Sequence, residues 1–204
     1  MRTRYRRVGR LLMVAAVFTG SACAHPSAIV MPLEWSPTSD IRDLPPGSLE
    51  LFGGRPVTVA PFGDRRTERN RVGSNLEHSP ARPVSTPDDV AAFVTASVMK
   101  IFQANGILVS PSGGAFTIKG DVLEFFVTEE NTYQGRVVIE IGVSDARGRE
   151  SWRGVAVGAS HRFGRSFKAD NYNETLSDCV VAAMQQLFGR AEFQAALRGP
   201  RAER

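Results

Sequence analysis

Few side chains in this 204-residue chain could do chemistry: two cysteines, Cys23 and Cys179, three histidines, and two loops dense in arginine. Cys23 closes the apolar run "LLMVAAVFTGSAC", which follows Arg2, Arg4, Arg6, Arg7 and Arg10 with no acidic residue among them. That order is the signature of an export signal, and its apolar part is too short to cross a bilayer as a mature helix. Gly20, Ser21 and Ala22 put small residues ahead of the thiol, as acylation of a cysteine requires, so Cys23 is the predicted lipid attachment point. A second rule competes: Ala22, Cys23 and Ala24 also fit ordinary signal peptidase cleavage before His25, which discards the cysteine. Each buried methylene contributes roughly 0.8 kcal/mol, so several acyl chains on Cys23 make a durable anchor.

The arginines fall in "GDRRTERNRVG" and "HRFGRSFKAD". Guanidinium groups beside aromatic rings suit carboxylates, phosphates or sugars. Arg65, Arg66, Arg69, Arg162, Arg165 and Lys168 are therefore the candidate partner-binding residues, set beside Phe163 and Phe167. The plainer alternative is a solvated edge with Asp64, Glu68 and Glu129 as local partners.

Enzyme chemistry finds no foothold. The sequence has no GxSxG, HExxH or GxxxxGK motif and no GxGxxG after a strand. His25, His78 and His161 lack an ordered carboxylate for metal binding, and Asp88 and Asp89 sit at a helix start that accounts for them. No catalytic residue, cofactor or metal is expected. Without the five leader arginines, 25 basic against 21 acidic residues becomes 20 against 21, which argues against a nucleic-acid footprint. Cys179 shares an apolar helical stripe with Leu176, Val180, Ala183 and Leu187, the setting of a buried thiol.

Positioning these groups falls to a short list of elements. Residues 24–54, broken by five prolines, read as a tether lying along the domain through Ile29, Leu33 and Trp35. "PVTVAPF" reads as a strand and is followed by more than twenty residues of loop. A helix then starts at "STPDDV", with Thr86 as cap and Pro87 in its first turn, and stops at Asn105-Gly106. Its predicted inward face is Val90, Phe93, Val94, Ser97, Val98, Ile101 and Phe102. Strands near 115–128, in "QGRVVIEIGVSD" and in "SWRGVAVGASHRF" form a meander, the last two joined by the turn residues of "DARGRE". A closing helix, capped by Asn171 or Asn173, ends at Gly189, and a coda tucks Phe193 and Leu197 against it.

The order β-α-β-β-β-α predicts an α+β two-layer sandwich: one mostly antiparallel four-stranded sheet with two helices on one face. The domains expected are a signal peptide over 1–22, a lipidated N-terminus and extended tether over 23–54, the α+β domain over 55–199, and a disordered tail over 200–204. A right-handed crossover gathers residues 63–86, 129–134 and 161–170 at one end of the sheet, with the tether entering at the other.

The leader "SACAHP", the strand "VTVAPFGDRRTE", the helix end "IFQANGILVSPSG", the meander and "NETLSDCVVAAMQQLF...EFQAAL" together resemble the YajG-like family of bacterial lipoproteins. The resemblance implies an outer-membrane lipoprotein facing the periplasm, and Ala24 after the cysteine agrees with that sorting. The layout is also similar to envelope accessory lipoproteins, which implies a non-catalytic adaptor that binds a cell-envelope partner. The alternatives are a binding module for an anionic envelope glycan or lipid and, third, a small hydrolase.

Overall fold

The computed structural model describes residues 27–164 and 168–198. In chain order the elements are β1 (Ile29–Val30), a 3-10 turn (Glu50–Phe52), β2 (Val57–Val59), β3 (Gly63–Asp64), β4 (Arg71–Asn75), β5 (Arg82–Ser85), α1 (Val90–Ala104), β6 (Phe116–Glu130), β7 (Thr132–Asp145), β8 (Glu150–Arg162), α2 (Ala169–Phe188) and α3 (Ala191–Arg198).

The meander β6-β7-β8 is antiparallel throughout, and period-two alternation makes it so. Ile118, Phe125 and Val127 on β6 and Val137, Ile139 and Ile141 on β7 all point into the core. A bulge between Val122 and Glu124 resets the alternation of β6, so that Val122 and Phe125 both face inward. The β7-β8 turn uses the expected chemistry: Asp145 accepts from the Arg147 and Arg149 amides, and Gly148 takes a φ of 77° that favours glycine.

The sheet is larger than the sequence suggests. In place of four mostly antiparallel strands it has eight in a mixed arrangement, in the order β1-β5-β4-β6-β7-β8 with β2 and β3 also on β6. The cause lies in β6, whose 15 residues outrun any single partner. Val57–Val59 covers only residues 116–118; β3 then takes 121–122 and β4 takes 127–129, all parallel to β6. Strand β4 turns back antiparallel into β5, and β1 adds to β5 in parallel. "GD" and "RVGSN" are too short for alternation to mark, which is why this stretch reads as loop. The α+β class stands, with three helices rather than two.

Helix α1 buries Val90, Ala91, Val94, Ser97, Val98, Ile101 and Phe102, as its spacing predicts, except that Phe93 sits half-buried between Trp35 and Phe125. Its cap is Asp89, which accepts from the Ala92 amide, while Thr86 instead accepts from the Asp88 amide. Helix α2 starts after Lys168 with no side-chain cap; Asn173 lies inside it, bonded to Glu34 N and Pro32 O. Ser177 and Asp178 extend that polar row, taking the amides of Ser36, Thr38 and Ser39. The N-terminal segment is thus strapped along the helical layer and continues to Leu44, Leu51 and Phe52 in the core. In α3, Phe193 and Leu197 are buried, and Phe193 stacks edge-on against Trp152 and Phe188.

The strap also sets which way the molecule points. Ser27 starts beside Arg82, whose Nε donates to the Ser27 carbonyl at 3.1 Å, and Arg82 pairs with Asn75, which pairs with Glu129. The first described residues therefore lie at the Glu130 end of the sheet, together with residues 76–81, Asn131 and Phe163. This reverses the expected polarity, because β1 runs parallel to β5 and so begins where β5 begins.

Candidate functional site

The predicted arginine face does not assemble as one patch. Arg65 lies on the open face of the sheet, 61% exposed, between Asp121 (3.9 Å) and Glu140 (3.7 Å). Arg162 stands opposite Tyr133, seven residues along β7 from Glu140, or about 23 Å at the rise of a strand. It pairs with Glu174. Arg69 and Lys168 are exposed on separate elements, and Arg165, like Cys23, lies outside the described residues.

Arg66 has a different role. Its side chain is only 6% exposed and grips Asp64 with two bonds, Nε to Oδ1 at 3.0 Å and Nη2 to Oδ2 at 2.8 Å. The same guanidinium reaches the carbonyls of Arg69 and Arg71, fastening the loop between β3 and β4. Burial would raise the Asp64 pKa, but the hydrogen bonds and charge of Arg66 outweigh it and hold the carboxyl below its ordinary value.

At the Glu130 end the chain buries a carboxyl, Glu129, at 1% exposure. It accepts from Asn75 Nδ2 (2.5 Å), Tyr133 OH (2.7 Å) and Tyr172 OH (2.5 Å). The network ties β4, β6, β7 and α2 at one point. Burial pushes the Tyr133 phenol up to about 12, with Glu129 adding to it, and burial followed by the Glu129 hydrogen bond raises Tyr172 further. Buried donors on a buried acceptor satisfy one another and hold these four elements in register. Replacing Tyr172 with phenylalanine is expected to cost about 1–3 kcal/mol by urea denaturation, since it takes one donor from a buried acceptor. Alternation along β6 points Glu129 inward with Phe125 and Val127.

Cys179 is fully buried in its predicted stripe, and burial raises its thiol to about 12, which suppresses the thiolate. His161 rests against Phe163, and among the described residues no group of three His, Cys, Asp or Glu could hold a metal ion. Among them, too, no helix is long and apolar enough to cross a membrane.

The surface the sequence reading missed is at the opposite, Phe116 end. A groove of about 550 Å³ runs between Leu49–Arg55 and Gly106–Leu108. Its floor is Phe52, locked against Phe102, Phe116 and Phe188, and its walls are Leu49, 46% exposed, and Leu108, 57% exposed. Gly53, Gly54 and Gly106, all at positive φ, expose backbone along its rim beside the side chain of Glu50. Arg55 lines it but is engaged within the fold, donating to Phe52 O and Leu197 O and stacking on Phe116 at 4.5 Å. "LELFGG" held the signal, apolar residues ending in two glycines, but it fell in a stretch read as tether.

No protein-family model matches the sequence, and no curated protein matches it. Solved structures do share the layout. A DUF330 protein from Xanthomonas campestris superimposes with a TM-score of 0.50 and 10% identity, over 82% of this chain and 95% of that one. A hypothetical protein from Chlamydia trachomatis gives 0.44 at 12% identity, over 69% and 97% of the two chains. A lipoprotein from Neisseria meningitidis gives 0.35 at 13% identity, over 54% and 86%. The last two likenesses are too loose to carry an argument, and none singles out the YajG-like family. At 10% identity, what this chain has in common with the Xanthomonas protein is its fold.

Proposed function

We propose that the chain is a lipid-anchored accessory protein of the cell envelope, held in the outer membrane through Cys23, which binds an envelope protein by an apolar segment seated in the Leu49–Leu108 groove. One observation carries this reading: an exposed apolar concavity of about 550 Å³ lies at the end of the sheet opposite to where the chain enters. A partner docking there meets a rigid aromatic floor and bare glycine backbone, a setting for side-chain insertion rather than for turnover. The anionic-glycan alternative loses ground, because Arg65, Arg66 and Arg162 face carboxylates of their own chain.

Burying a leucine- or phenylalanine-sized side chain contributes about 1.5–3 kcal/mol, so a charge placed in the groove should weaken capture by an order of magnitude or more. The experiment is photo-crosslinking from position 108 in the native envelope, with and without Leu49→Asp. The expected result is one discrete product that Leu49→Asp abolishes and that persists when Arg65 and Arg162 are replaced by alanine. Capture that survives Leu49→Asp, or that fades steeply with ionic strength and disappears with the arginines, overturns the reading in favour of a polyanion site.

A further inference from the structure

The anchor and the fold together constrain how the domain stands on its membrane. Cys23 precedes Ser27 by four residues, and four residues span at most about 14 Å. Ser27 lies at the last rungs of the sheet, where Arg82, Asn75 and Glu129 stand side by side. Strand β6 alone carries the fold about 46 Å from there to Phe116. A lipid on Cys23 therefore holds the Glu130 end within a short reach of the bilayer and leaves the Phe116 end far outside it.

That membrane-near end is also where large apolar side chains stand out. Phe163, immediately after β8, is 79% exposed, and Leu76, immediately after β4, is 43% exposed. The two follow the last strand and a middle strand in sheet order. The charges around them oppose one another, with exposed Lys168 set against exposed Glu77, Glu130 and Asp170.

We infer that the end of the sheet bearing Leu76 and Phe163 is a bilayer-docking face, with Phe163 entering the interfacial layer of a zwitterionic lipid surface. The aromatic ring supplies the contact, and the mixed charges make anionic lipid unnecessary. This rests on acylation of Cys23 in the proposed function, and it deepens that reading by presenting the Leu49–Leu108 groove at the far end of the sheet from the lipid.

The test supplies the anchor chemically. The chain from Cys23 onward, which contains every described core residue, is coupled through Cys23 to maleimide-bearing phosphatidylethanolamine in phosphatidylcholine vesicles; the buried Cys179 does not compete. Phe163→Trp and Leu108→Trp variants are compared with the unsubstituted chain for quenching by phosphatidylcholine brominated near the glycerol end of its acyl chains. The expected result is added quenching and a blue shift for F163W and none for L108W, unchanged when phosphatidylglycerol is mixed in. Added quenching for L108W alone, or for neither variant, overturns the inference. Intact mass of the protein from its native envelope reads the acylation of Cys23 separately, so a failed orientation and a failed anchor give different results.

Discussion

Arg66→Ala is expected to lower folding stability by about 3–5 kcal/mol, because it strands a largely buried carboxylate without its cation. Asp64 is 10% exposed and receives two bonds from Arg66, and the carbonyls of Arg69 and Arg71 lose their donor in the same stroke. Chemical denaturation reads the loss. Arg65→Ala is the natural control: its side chain is 61% exposed between two carboxylates, and such pairs are worth about 1 kcal/mol or less. Arg66→Lys should recover only part of the loss, since an ammonium cannot hold both carboxylate oxygens and two carbonyls. A cycle with Asp64→Ala should show the double variant far less damaged than the sum of the singles.

The pH dependence has a definite sign. The folded Asp64 pKa is depressed below its unfolded value, so its contribution is fully present above the ordinary carboxylate range and is lost as pH falls through the depressed folded value. The gap in stability between wild type and Arg66→Ala should therefore be level at neutral pH and narrow as pH falls through the carboxylate range, from the raised pKa that burial gives Asp64 without Arg66 down to the depressed wild-type value. A gap that instead closes between pH 6 and 8, roughly the histidine range, would show that another group carries the effect.

Gly158→Ala is the second large effect, about 3 kcal/mol or more, at or beyond the upper range for overpacking. A methyl group on Gly158 would stand 1.8 Å from the Cys179 carbonyl oxygen and 2.6 Å from the Ala183 nitrogen. Both are backbone atoms of α2, so no rotamer change relieves the clash and the helix must lift off β8. Gly135 meets the same helix, with Thr175 and the Cys179 sulfur 2.5 and 2.7 Å from its would-be methyl. Calorimetry of Gly158→Ala should show a large fall in Tm, whereas Gly142→Ala, which meets only the flexible ends of Glu150 and Lys119 at 3.3 Å, should change little. Equal effects at the two sites would mean that strand propensity, not helix docking, dominates.

Local patterns were legible wherever a residue's neighbours in sequence are also its neighbours in space. The apolar face of α1, the stripe around Cys179, the burial of Phe193 and Leu197 and the Asp145 turn all follow from periods of 3.6 or 2 and from turn chemistry. Where side chains bond across more than a hundred residues, as Asn173 and Asp178 do to the strap, local sequence does not show it, and Asn173 reads as a helix cap. The arginines show the limit well. Composition placed them in two loops, but whether a guanidinium is sunk on Asp64 or stands over Glu140 depends on which rung of β6 each short strand takes.

By itself, then, the sequence determined the α+β class, the meander and the main helices, because each is a matter of local periodicity. Only the tertiary structure decided that β6 recruits β2, β3 and β4 in succession, that the chain enters at the Glu130 end, and that an apolar groove opens at the Phe116 end. Those outcomes turn on long-range register, and register is set by how a fifteen-residue edge fills its backbone hydrogen bonds, which no window of neighbouring residues contains.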